Sequence, residues 1–179
     1  MNYVNRKWVA AALLAAAAVV WAGVGHAQIR DAGSKVRGEY GMSQQSTSRS
    51  LYHARDYAND YRSYVQDARQ SKRPVSPQVA KEHAEEMGHN ITLTQKHLAD
   101  MRKHAANDKE TLASLDLIDK YVQEAAKQQA TMLEMCKGEV DANGSMTCCE
   151  DAAKSLDKAI AEHDKLMKKL AAKQPPRKK

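Results

Sequence analysis

Histidine, methionine and cysteine carry whatever chemistry this chain can do. Three pairs, His83–Met87, His97–Met101 and His163–Met167, are spaced i,i+4, and Met101–His104 is spaced i,i+3. On a helix those spacings put both side chains on one face, within reach of a shared ion. Imidazole with thioether is a ligand set suited to copper, whereas zinc more often takes carboxylate or thiolate beside histidine. A row spaced by seven, His83, Asn90, His97 and His104, runs along the same stretch. The competing reading makes the methionines core filler and the histidines solvated polar groups. One His–Met pair would carry nothing against it; the repetition gives the metal reading its weight.

A second cluster gathers Met132, Met135, Cys136, Met146, Cys148 and Cys149. In an exported chain three thiols imply one disulfide, Cys136 with Cys148 or Cys149, and one thiol left over. The sharper alternative is a thiolate–thioether clasp for Cu(I). Thr147 reads as an N-cap, with Glu150 as its reciprocal partner. Cys148 and Cys149 would then be the first helical residues, where the helix dipole favours thiolate.

Familiar catalytic patterns are absent. There is no Gly-x-Ser-x-Gly, Walker loop, His-Glu-x-x-His or Cys-x-x-Cys-His. Glu86-Met87-Gly88-His89 matches the Glu-x-x-His element of ferritin-like di-iron bundles, but Ile160 stands three before His163, so the second copy fails. The chain reads as non-enzymatic.

The elements that must position these residues are helices. There is no phenylalanine, β-branched residues are sparse, and no alternating apolar run makes a strand. Helix 1 is expected from about residues 43–48 to 71, with the seam Leu51, Ala54, Ala58, Tyr61, Val65 and Ala68. Tyr52, Tyr57 and Tyr64 widen its face, their hydroxyls reaching the bundle edge. Helix 2 opens with Ser76 as cap and Pro77 at the first helical position, and runs to about Ala106. Its seam is Ala80, Ala84, Met87, Ile91, Thr94, Leu98, Met101 and Ala105. Asn107, with Glu110, is expected to cap helix 3, whose seam runs from Leu112 to Cys136, with Gly138 as its stop. Residues 138–147 read as a loop. Helix 4 follows to about Lys173, with Cys149, Ala153, Leu156, Ile160, His163, Met167 and Leu170 inward.

Two short connections and one longer one make an antiparallel up-down-up-down four-helix bundle the expected all-α fold. Folding the hairpins back sets His53 level with His97, and Met167 near the same height with His163 a turn away. A layer of His53, His97, Met101, His163 and Met167 follows.

Residues 1–27 read as a cleaved signal peptide: Arg6 and Lys7, an apolar run from Trp8 to Val24, then Gly25-His26-Ala27. Export to a periplasmic or secreted location follows. Residues 28–42 read as a flexible lead-in, 43–173 as the bundle and 174–179 as a basic tail. The formal charge of +6 is concentrated at the end of the chain, where Lys165, Lys168, Lys169, Lys173, Arg177, Lys178 and Lys179 meet no acidic residue. That pattern speaks against nucleic acid as a partner. It fits a weak contact with anionic membrane or polymer. Two function classes remain: an exported copper-binding bundle acting as carrier, buffer or sensor, and a metal-free structural or adaptor bundle that binds an envelope protein through a helix face.

Overall fold

The computed structural model describes residues 40–105 and 107–173. They form four helices, with no strand among the described residues: α1 over residues 40–70, α2 over Pro77–His104, α3 over Lys109–Met135 and α4 over Ala142–Ala172. The expected signal peptide, most of the lead-in and the tail beyond Lys173 lie outside the described residues.

The seams read from spacing are the core. Every seam residue expected of α1 and α2 is buried, including Leu51, Tyr61, Met87, Leu98 and Met101. In α3, Leu115, Ile118, Val122, Ala125 and Met132 are buried. In α4, Leu166, Ala152 and Ala159 join the expected stripe and widen it. Alanine recurs at these positions, so the helices pack closely and small hydroxyls bridge them. Ser50 and Thr94 share a hydrogen bond of 2.8 Å between α1 and α2. Arg102 of α2 donates to Asp116 and Asp119 of α3 at 3.1 and 3.0 Å. Lys169 of α4 reaches Glu110 of α3 at 2.8 Å, and Tyr61 of α1 donates to Ser145 of α4 at 3.3 Å. The four helices close on one another around one core.

Three boundaries differ from expectation. Residues 40–42, assigned to the lead-in, are helical, because Tyr40 packs on the core and sets its ring edge-on to His104 at 5.6 Å. Asp108, one residue beyond Asn107, caps α3: its carboxylate accepts from the Thr111 amide at 3.1 Å and from the Thr111 hydroxyl at 2.9 Å. Lys173 donates to the same carboxylate and, with Thr111, holds it down at about 2. Glu110 turns outward to Lys169 and closes no capping box. The largest difference is at α4, which begins at Ala142. Asp141 accepts from the amides of Asn143 and Gly144 at 3.0 and 2.9 Å, satisfying two otherwise unpaired donors. Asn143-Gly144, which reads as a turn, is the first turn of the helix. A Cβ on Gly144 would come within 3.2 Å of the Met135 sulfur. Thr147 bonds back to the Asn143 carbonyl at 3.2 Å and caps nothing.

α1 ends in a Schellman motif. The Arg73 amide donates to the Ala68 carbonyl at 2.9 Å and the Lys72 amide to Arg69 at 3.1 Å, with Lys72 at φ 51°. That left-handed conformation costs a non-glycine residue about 1–2 kcal/mol. Lys72→Gly should therefore stabilise the fold by about 0.5–1 kcal/mol after the added freedom of the unfolded chain is subtracted. Urea unfolding would show it as a higher midpoint at unchanged slope.

Candidate metal centre

His163 is the deepest of the expected histidine ligands, only 2% exposed on the core face of α4. Its Nδ1 lies 3.9 Å from an Asp164 carboxylate oxygen, and the backbone of Gln44 in α1 supports its protonated form. Nε2 is buried with no hydrogen-bond partner. These surroundings assign the ring proton to Nδ1 and the lone pair to Nε2. Burial lowers the affinity of His163 for a second proton, so the ring is held neutral. Gln44 lies one turn before Thr47, whose hydroxyl meets the Met101 sulfur at 3.6 Å. α1 thus sets His163 of α4 and Met101 of α2 near one level of the interior. Met167, half-buried, follows His163 by one turn.

His53 and His97 come together elsewhere. They line an open groove of about 270 Å³ between α1 and α2 with Ser46, Arg49, Ser50, Asn90 and Leu93. The expected layer therefore divides. His53 faces α2 across this groove, whereas Gln44 and Arg55 on α1 face α4, the latter 3.7 Å from Asp157. His163 and Met101 meet α1 at Gln44 and Thr47, about two turns before His53, so neither one height nor one side of α1 gathers the expected layer. Ser46, Arg49 and Gln44 carried no signal of their own in sequence, because they fall in the polar stretch that precedes the first strong seam residue.

His83 belongs to a third environment. Its ring stacks on Tyr61 at 5.6 Å and stands edge-on to Tyr57 at 6.3 Å. Its Nδ1 is buried without a partner, and Met87 one turn on is wholly buried. Tyr61 is interior, as its place in the seam predicts, and burial pushes its hydroxyl up to about 12. Tyr64 does reach the edge, where its hydroxyl accepts the Ser76 amide at 3.0 Å. His104 is exposed at the end of α2, against Tyr40, and His89 is exposed.

The cysteines are three free thiols in this structure, so the expected bridge from Cys136 to Cys148 or Cys149 is not formed. Cys136 instead donates to the Met132 carbonyl at 3.0 Å within its own helix end. Because α4 starts at Ala142, Cys148 and Cys149 lie well inside the helix and gain little from its dipole. Burial pushes all three thiols up, Cys149 to about 12, the reverse of the thiolate expected from a cap at Thr147.

Among the described residues, no three or more His, Cys, Asp or Glu side chains converge on a point that could hold a metal ion. Any centre here must recruit thioether, backbone or an outside ligand beside one or two imidazoles. No known protein family, curated protein or solved structure matches the chain.

Proposed function

We propose that this chain is an exported, non-enzymatic small helical bundle that binds copper through imidazole and thioether side chains, as carrier, buffer or sensor. One observation carries the reading. The buried side-chain polar atoms that lack a partner among the described residues are two imidazole nitrogens, His83 Nδ1 and His163 Nε2. Each histidine stands four residues before a methionine. An unpartnered buried polar atom costs about 1–3 kcal/mol. A soft metal would offset that cost, and the thioethers of Met101 and Met167 supply the neutral sulfur ligands that Cu(I) accepts. The interior centre is His163 with Met101 and Met167; His53 and His97 form a separate, open pair; His83 with Met87 has the same local composition beside the tyrosines.

The finer architecture belongs to this reading. Neighbours pair in opposite chain order, Thr47 with Met101, Ser50 with Thr94 and Tyr64 with Ser76, which supports an antiparallel up-down-up-down bundle. Cleavage after Ala27 would free the domain that carries it. The competing adaptor bundle binds an envelope partner and no copper. Thermal unfolding separates the two. Free copper at 100 times its dissociation constant should stabilise the fold by about 2.7 kcal/mol, seen as a raised Tm. An unchanged Tm across a copper titration would favour the adaptor.

The basic end takes a smaller role. Lys165 pairs with Glu162 at 2.7 Å, Lys169 with Glu110 at 2.8 Å and Lys173 with Asp108 at 3.0 Å. Ion pairs within the bundle thus already offset part of the charge counted in sequence. Truncation after Lys173 should leave folding within about 0.5 kcal/mol. It should also weaken a salt-sensitive attachment to anionic vesicles, measured by co-sedimentation.

A further inference from the structure

The groove between α1 and α2 is an odd place for a bare cation. His53, His97 and Arg49 line it, whereas no Asp or Glu among the described residues does. The acids nearest in sequence are engaged by cations of their own helix. Asp56, three residues past His53, pairs with Arg55 at 2.8 Å, and Asp100, three past His97, pairs with Lys103 at 2.7 Å. Two imidazoles alone leave a divalent ion short of ligands and of negative charge, while Arg49 repels it. The same arrangement suits an ion that arrives with an anion. A small bidentate carboxylate on the metal would neutralise it, complete its ligand set and present oxygens to the guanidinium, which matches carboxylate geometry. Asn90 and the Ser46 hydroxyl add polar groups at the wall. The groove is open, and its volume of about 270 Å³ leaves room for an ion with a small two-carboxylate acid.

We infer that this groove takes copper(II) as a complex with a small chelating carboxylate, His53 and His97 binding the metal and Arg49 binding the acid. The inference rests on the copper reading but concerns a site apart from His163. Its test is therefore made in the full chain carrying His163→Leu with Cys136→Ala, Cys148→Ala and Cys149→Ala, where failure of the interior centre changes nothing and no thiol takes up copper. The probes are Cu(II) alone, oxalate alone and Cu(II) with equimolar labelled oxalate, followed by equilibrium dialysis. Copper and oxalate should be retained together, one to one. Arg49→Gln should weaken their retention at least tenfold, and His53→Ala should abolish it. Retention of copper without oxalate, retention of oxalate without copper, or indifference to Arg49→Gln would each overturn the inference. All the residues changed in the groove are at the surface or half-buried, and circular dichroism checks that each variant is folded.

Discussion

Replacing His97 and His163 together by alanine should reduce copper binding at least about 100-fold, roughly 2.8 kcal/mol. The comparison belongs in a background with Cys136→Ala, Cys148→Ala and Cys149→Ala, so that thiols cannot mask the loss. The single variants should not behave alike. His163→Ala removes the interior imidazole that lies at Gln44 and the Met101 level, and should delete the tighter site. His97→Ala removes half of the open pair and, where oxalate is supplied with the copper, should delete the weaker one. Because neutral imidazole is the ligand, affinity at both sites should fall as pH drops through the histidine range. If both single variants and the double variant bind as wild type does, the histidines hold no metal and the adaptor bundle is the better account.

In the absence of metal, His163→Leu should make the protein more stable by about 1 kcal/mol. Leucine fills a similar volume and carries no buried nitrogen to leave unpaired. A residue kept at a cost to stability is the mark of a site held for binding. The pH dependence should change with it. The ordinary histidine takes its proton near 6.5, and burial lowers that value for His163 in the folded chain. As pH falls below about 6.5, the unfolded chain binds a proton that the folded chain resists. Stability is then lost downward between the two values, by at most about 1.4 kcal/mol per pH unit. Urea unfolding at stepwise lower pH should show this decline in wild type and a flatter course in His163→Leu. A destabilised variant with an unchanged slope would mean that His163 is a well-satisfied core residue.

The core was legible because burial follows helical period, and the run from Ala80 to Ala105 keeps that period without interruption. Helix ends were less so. Asp141 and Thr147 both look like caps, and spacing cannot say which satisfies the free amides; the packing of Gly144 beneath Met135 favours the earlier start. That shift of about a turn and a half removed the thiolate argument at Cys148 and Cys149. Counting could bring His53 and His97 to the same pair of helices, but it could not show that α1 meets His163 at Gln44, about two turns away from His53. Arg49 could not be weighed at all until the groove placed it beside two imidazoles.

The most direct test follows the His163 ring itself. In the thiol-free background, Cu(I) is added under reducing conditions and the histidine nitrogens and methionine methyls are followed by NMR. The account predicts that the His163 Nε2 resonance moves together with the methyls of Met101 and Met167, saturating at one equivalent. A His163 resonance that stays fixed while copper is added in excess would contradict it.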